Sequence, residues 1–223
     1  MSRAWFTSSI GKKILMAVSG LILTGFILAH LLGNLLIYSG PDALNAYAKK
    51  LRDMGALLWA VRLTLLASAL VHIVASIHVS RENAAARPIG YRKVRTAETT
   101  LSARTMLVSG VGVGVYLVYH LLHFTFGVTH PAISHAHDAL GRHDVYLMVV
   151  RSFQQPLITL AYLLGMGAVA FHLSHGVGSA FQTLGLTTER TIPAFRWGSQ
   201  LFAFAIFLGY ISIPMAILLG FVR

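Results

Sequence analysis

The chain contains no cysteine. Disulfides, iron–sulfur ligation and covalent haem attachment are therefore excluded within it. Acid is scarce as well: seven Asp and Glu stand against 18 Lys and Arg, and charged residues make up 11% of the 223 positions. A soluble domain carries roughly twice that charged fraction. In its place stands apolar sequence: 56% of the residues are hydrophobic and the mean hydropathy is +0.68. The class is an integral membrane protein. The net charge of +11 reads as loop charge that sets topology, and no nucleic-acid partner is expected. No apolar segment has an Asp or Glu in its middle, which argues against a carboxylate proton relay or a transporter built on one.

A helix needs about 20 apolar residues to cross the hydrocarbon core. Five segments qualify, at about 13–38, 56–79, 104–127, 153–181 and 197–221. We expect an all-α membrane protein, five transmembrane helices in one bundle, with residues 1–223 forming a single domain. The start MSRAWFTSSIGKKILMAVSG has basic residues before an apolar stretch, as a signal peptide does. That stretch runs on to about Tyr38 without a small-residue cleavage site, so a retained first span is expected. Pro41, Pro131 and Pro193 fall between spans, Gln155 and Pro156 in the first turn of the fourth, and Pro214 inside the fifth, where it should kink the helix.

Five spans put the termini on opposite sides. With the N-terminus inside, the inner segments carry 11 basic residues: Arg3, Lys12, Lys13, Arg81, Arg87, Arg92, Lys93, Arg95, Arg104, Arg190 and Arg196. The outer segments carry seven: Lys49, Lys50, Arg52, Arg62, Arg142, Arg151 and Arg223. The positive-inside bias predicts a cytoplasmic N-terminus and an external C-terminus in a bacterial inner (cytoplasmic) membrane. The run RENAAARPIGYRKVR (81–95) is the strongest inner marker and a docking segment for a partner or anionic lipid.

Four of these spans each hold a histidine deep in apolar sequence: His30, His72, His120 and His172. An ionisable ring in hydrocarbon is costly and needs a partner or a role. His30 and His120 lie 17 and 16 residues into spans that run outward, about 25 Å from the inner side. His72 and His172 lie seven and nine residues from the inner ends of spans that run inward, at about 10–14 Å. The depths predict an outer pair, His30 with His120, and an inner pair, His72 with His172. Two facing imidazole pairs suit two bis-histidine haems b stacked across the membrane, with no open iron site and hence electron transfer rather than oxygen chemistry.

An internal repeat joins the outer pair. Ser19-Gly20 precedes His30-Leu31-Leu32, and Ser109-Gly110 precedes His120-Leu121-Leu122, each serine 11 residues before its histidine. At 100° per residue the serines return to within about 20° of the histidine face, roughly three turns lower. Ser19 and Ser109 are therefore expected near the inner haem, where a hydroxyl reaches a propionate, or else where small residues let helices pack closely. His78 is a further propionate contact or a solvated side chain. His123 and His175, three residues after His120 and His172, are competing ligands. His130, His135, His137 and His143 read as a solvated outer loop rather than a metal site, since cysteine is absent.

These residues resemble a known family, the five-helix, dihaem cytochrome b anchor of succinate:quinone oxidoreductases (succinate dehydrogenase and fumarate reductase, complex II). The resemblance spans nearly the whole chain and is carried by HLLGNLLIYSGPDALNAYAKKL (30–51), ALVHIVASIHV (69–79), LVYHLLHFT (117–125) and AFHLSHGVGSAFQTLGLTTER (170–190). It implies that His30, His72, His120 and His172 are the axial ligands. It implies a flavoprotein subunit and an iron–sulfur subunit docked on the inner side, and electron transfer through two haems b to a membrane quinone, menaquinone or ubiquinone, or the reverse. Some fumarate reductases of the family carry a glutamate two residues before the fourth ligand, linked to proton transfer. Here that position is Ala170.

The quinone site is less legible. Asn34, Tyr38, Tyr47, Arg52, Trp59 and Arg62 are the outer candidates, and Ser9, Lys12, Arg104 and Trp197 the inner ones. Each also has an ordinary reading as an interfacial aromatic or a snorkelling base. The alternative function is the dihaem cytochrome b anchor of another respiratory oxidoreductase. A haem-free transporter using the histidines as a proton relay is a third.

Overall fold

The computed structural model describes residues 8–85 and 105–223. The expected basic docking run beyond Ala85, with Arg87, Arg92, Lys93 and Arg95, lies outside the described residues, as do Arg3 and Arg104. The described residues are helical almost throughout, apart from one isolated bridge between His137 and His143.

Helix α1 (Ser9–Asn34) starts where the Ser8 hydroxyl accepts from the Gly11 N–H at 3.0 Å. Lys12 and Lys13 thus lie within the helix and not before it. The chain tightens into a 3-10 turn (Leu35–Ser39) and stops at Gly40, whose φ of +94° a side chain would resist. Pro41 then opens α2 (Pro41–Asp53), since a proline at the first position loses no helical hydrogen bond. Helix α3 (Ala56–Ala85) is the second long span, and α4 (Met106–His120) the third. Immediately after His120, α4 widens into a π-helical turn (Leu121–Thr125), with Phe126 N–H donating to Leu121 O at 2.8 Å.

Two short helices follow, α5 (Pro131–Ser134) and α6 (Val145–Phe153). The fourth span, α7 (Pro156–Thr183), opens on Pro156, so Gln155 caps it from outside and Phe153 belongs to α6. The fifth, α8 (Ile192–Leu218), starts earlier than hydropathy predicts. Pro193 sits in its first turn, and Pro214 is buried in its interior. Among the described residues, five helices are long and apolar enough to cross a membrane. Their outward faces carry many exposed large apolar side chains, such as Leu63, Val108, Leu164 and Leu201, as expected where lipid is the solvent.

Helix α7 is the hub. It packs most extensively on α8, then on α4 and α1, while α3 packs on α1. The pairs α3/α7 and α1/α4 touch at most marginally. The main apolar core lies at the end carrying α2, α5 and α6, where Ile37, Leu44, Val150, Phe153, Tyr162 and Ile217 meet. That cap replaces what hydropathy reads as loops. Asn45, 1% exposed, holds it together by donating to Asp138 and Asp144 and accepting from the Tyr146 N–H.

Candidate functional site: two facing pairs of histidines

The structure brings the four span histidines together in two pairs. His30 (α1) faces His120 (α4) with ring centroids 5.9 Å apart and planes at 82°. His72 (α3) faces His172 (α7) at 6.2 Å and 73°. Each pair bridges two helices that otherwise barely touch. The rings therefore meet across a gap instead of within a packed seam. Two imidazoles binding one metal from opposite sides, each at about 2 Å, place their centroids about 6 Å apart. Both pairs have that spacing. His72 also lies beside Ser19, 11 residues before His30 on α1, so the two pairs are about 16 Å apart along the helix.

The pair distant from the cap is held by the main chain. His72 Nδ1 lies 2.9 Å from Met16 O, and a carbonyl only accepts, so Nδ1 carries the hydrogen. His172 likewise has the Met106 carbonyl as a backbone hydrogen-bond partner. The serine hydroxyls lie alongside, Ser19 at 3.4 Å from His72 Nδ1 and Ser109 at 3.1 Å from His172 Nδ1. Each hydroxyl hydrogen is directed at a carbonyl of its own helix, Leu15 O at 2.6 Å and Met106 O at 3.0 Å. Both serine hydrogens are thus engaged within their own helices, and the hydroxyls lie beside the imidazoles of His72 and His172. The glycines that follow leave room for the rings. A Cβ on Gly20 would sit 2.9 Å from His72 Cε1, and one on Gly110 would sit 3.4 Å from His172 Cε1. The repeat is therefore longer than the Ser-Gly dipeptide: Met16-Ala17-Val18-Ser19-Gly20 and Met106-Leu107-Val108-Ser109-Gly110 form the same cradle twice. With Nδ1 committed, Nε2 is the unprotonated nitrogen on both rings.

The pair nearer the cap is held by side chains. Ser152 donates to Met148 O at 2.7 Å, so its oxygen must accept from His123 Nε2 at 3.1 Å. His123 Nδ1 is then an acceptor and takes the Tyr162 hydroxyl hydrogen at 2.9 Å. The Tyr162 oxygen is left to accept from His120 Nδ1, 3.5 Å away at the long limit of a hydrogen bond. Read outward from one carbonyl, the chain of donors again leaves Nε2 of His120 unprotonated. His30 has no such anchor: its ring stacks on Phe26 at 5.3 Å and 18°. Tyr210, 6.4 Å from His30, donates to Ile27 O at 2.7 Å and ties α8 to α1 one turn before it.

The other expected site residues fall elsewhere. His123 is fully buried with both ring nitrogens hydrogen-bonded, to Tyr162 and Ser152. His175 Nε2 is bonded to Ser179 at 2.7 Å. His78 is exposed on α3, apart from the His72/His172 pair.

The outer quinone candidates do not converge. Asn34 donates to His30 O at 2.6 Å, Tyr38 to Ser212 at 2.9 Å, and Arg52 is exposed. Arg62 lies over the exposed Trp59 ring at 5.1 Å. The Tyr47 hydroxyl lies where a Cβ on Gly33 would come within 2.7 Å. At the other end, Ser9 and Lys12 both bind Glu82, and Trp197 is 75% exposed. A cleft of about 400 Å³ opens at that end, lined by Lys13, Met16, Ser179, Gln182 and Thr183.

In the cap, His135, His137 and His143 are not gathered into a metal-binding group among the described residues. The expected solvated loop is instead an ordered one. Arg142 binds Asp138 at 2.7 Å and Asp42 at 2.8 Å, and His143 Nε2 donates to Ser134 O at 2.7 Å. Burial pushes the His143 pKa below its ordinary value, and Arg52 adds to the shift against the Ser134 carbonyl. Burial raises the Asp138 pKa, but hydrogen bonds from Arg142, Leu140 and Asn45 outweigh it and hold the carboxyl below its ordinary value.

The arrangement defines a class: a multi-pass helical membrane protein with two stacked pairs of facing imidazoles. No family model, curated protein or solved structure matches the chain.

Proposed function

We propose that the chain is a dihaem cytochrome b, the membrane anchor and electron-transfer subunit of a succinate:quinone oxidoreductase. One observation carries the haem assignment. In three of the four facing imidazoles the hydrogen-bond partners favour the hydrogen on Nδ1, the tautomer that leaves Nε2 to bind metal: His72 beside Met16 O, His172 beside the Ser109 hydroxyl that itself donates to Met106 O, and His120 beside the Tyr162 oxygen at the long limit of 3.5 Å. A histidine serving only as a helix–helix contact would bond its neighbour, yet neither pair is within hydrogen-bonding distance across the gap. Iron porphyrin bound by two imidazoles supplies one-electron transfer with no open site for oxygen.

The residues of the chain do the remaining work. Met16 and Met106 orient His72 and His172 through rigid main chain. Tyr162, His123 and Ser152 orient His120. The apolar helices exclude water from the path between the two layers, about 16 Å long by the helix rise. The succinate assignment rests on the motifs of residues 30–51 and 170–190, which resemble those of complex II anchors. In that reading the N-terminus is cytoplasmic, the flavoprotein and iron–sulfur subunits dock on the side of the 81–95 linker, and electrons pass through His72/His172, then His30/His120, to a quinone.

The test is purification of the chain from its own membranes with whatever remains attached. We expect a flavoprotein and an iron–sulfur protein in the complex, and reduction of its b-type haem by succinate. A complex whose haem is reduced by hydrogen or formate and not by succinate would transfer the reading to another respiratory anchor. A haem-free chain would remove it.

A further inference from the structure

The two layers differ in what holds their histidines, and the difference has a consequence for the His30/His120 layer, given the dihaem reading above. His72 and His172 donate to main-chain carbonyls, which have no hydrogen of their own to rearrange. His120 Nδ1 lies 3.5 Å, the long limit of a hydrogen bond, from the oxygen of a phenol whose hydrogen is itself given to His123 Nδ1 at 2.9 Å, with His123 in turn anchored on Ser152 at 3.1 Å and Ser152 on Met148 O at 2.7 Å. The chain is dry: His123 is 0%, Tyr162 1% and Ser152 1% exposed. A hydroxyl that donates becomes a better acceptor, because hydrogen bonds in a low-dielectric interior polarise one another. The packing also leaves Tyr162 no freedom, with Phe153 edge-on at 4.9 Å and Phe124 at 5.4 Å. The π-helical turn contributes by starting right after His120 and by carrying His123 inward, to where both of its nitrogens find partners.

We propose that Tyr162 is a positioning residue for the haem bound between His30 and His120, and that His123 and Ser152 act through it. Drawing the His120 Nδ1 hydrogen towards the phenol oxygen makes the imidazole a stronger donor to iron, which stabilises the oxidised state. The chain thereby lowers the reduction potential of this haem and fixes the ring plane of one of its two ligands. His30 stacks on Phe26 and has no ring hydrogen bond among the described residues, so it supplies no comparable effect.

The experiment is a redox titration of the purified holo-complex, followed optically and by low-spin ferric electron paramagnetic resonance, in Tyr162→Phe, Ser152→Ala and Tyr119→Phe. Tyr119 packs on both His123 and Tyr162 but has no hydrogen bond to either, so it serves as the control. In Tyr162→Phe the reduction equilibrium of one haem should shift about tenfold towards the reduced state, 59 mV for one electron, with a displaced signal for that haem and the other unchanged. Ser152→Ala should give a smaller shift of the same sign, and Tyr119→Phe none. If Tyr162→Phe fails to load the second haem, Ser152→Ala alone decides, since it leaves Tyr162 in place. Wild-type potentials and signals in Tyr162→Phe, or in Ser152→Ala when that variant decides, overturn the proposal while leaving the dihaem reading intact. A wild-type complex without haem overturns the dihaem reading instead.

Discussion

The two histidine layers present the same facing-imidazole geometry with different materials around it. Away from the cap, His72 and His172 sit in matched cradles, each a main-chain carbonyl, a hydroxyl and a glycine supplied by the same five-residue pattern on α1 and α4. Near the cap, His120 depends on three side chains drawn from α7, the π-turn and α6, and His30 on a stacked ring. A carbonyl cradle survives most substitutions because backbone cannot be mutated away. A side-chain relay can be altered one residue at a time. The first favours permanence of geometry, and the second leaves the electronic character of one site open to adjustment.

Steric intrusion should break the comparison most strongly. Gly20→Ala puts a methyl 2.9 Å from His72 Cε1 and 3.1 Å from Nδ1, and the ring is pinned by Met16, so it has little room to retreat. We expect a loss of about 1–3 kcal/mol from overpacking, read as a lower melting temperature of the haem absorbance. Gly110→Ala, at 3.4 Å, should cost clearly less. Equal effects would show that the two cradles are not distinguished by this fit.

In the dihaem reading, removal of the haem sharpens the same contrast between helices. Only 6% of the most apolar stretch of α3 is buried, against 33% for α7, and α3 packs mainly on α1. His72 faces His172 of α7 across the gap, so in the dihaem reading haem-depleted protein should show faster hydrogen exchange and proteolysis in α3 while α7 and α8 stay protected. Uniform loosening of all five helices would contradict this.

The serines should matter less. Ser109→Ala removes an acceptor 3.1 Å from His172 Nδ1, while Ser19 is 3.4 Å from His72 Nδ1 with its hydrogen on Leu15. Both histidines keep their carbonyl, so we expect about 0.5–1.5 kcal/mol for Ser109→Ala and less for Ser19→Ala, by thermal unfolding.

The smallest effect is confined to the cap and depends on pH. The pKa values of both His143 and Asp138 lie below their ordinary values in the folded protein. A depressed pKa contributes stability above the unfolded value, and that stability is lost as pH falls through the folded one. Amides of residues 131–153 should therefore lose protection first below the ordinary histidine range and again below the ordinary carboxylate range. Amides of α8 should not follow. Protection that increases on acidification would refute the assigned signs.

Much of this was legible in the sequence because hydrocarbon imposes few solutions. Length and apolarity placed the five spans, and counting residues from the span ends sorted the histidines into the pairs that now face each other. Angular arithmetic along the helix pointed Ser19 and Ser109 at the correct layer. It could not say what they would touch, since a serine near a haem faces an imidazole or a propionate with equal logic. The relay was hidden for a different reason. Tyr162 and Ser152 lie 42 and 32 residues from His120, and only the fold brings them near. One signal was available, a phenol within the first two turns of an apolar span, which needs a partner when buried. The cap helices were missed because α2 and α6 are too short to register as spans and too apolar on one face to be loops.

The central claim is that the four imidazoles form two metal sites, each made by one specific pair. It is tested most directly by counting haem b per chain in the purified complex of His72→Ala/His172→Ala and of His30→Ala/His120→Ala, beside the crossed double variant His72→Ala/His30→Ala. The account predicts two haems in the wild type, one in each of the first two variants with different remaining potentials, and none in the crossed variant. Two haems retained in either paired variant, or none in the wild type, would contradict it.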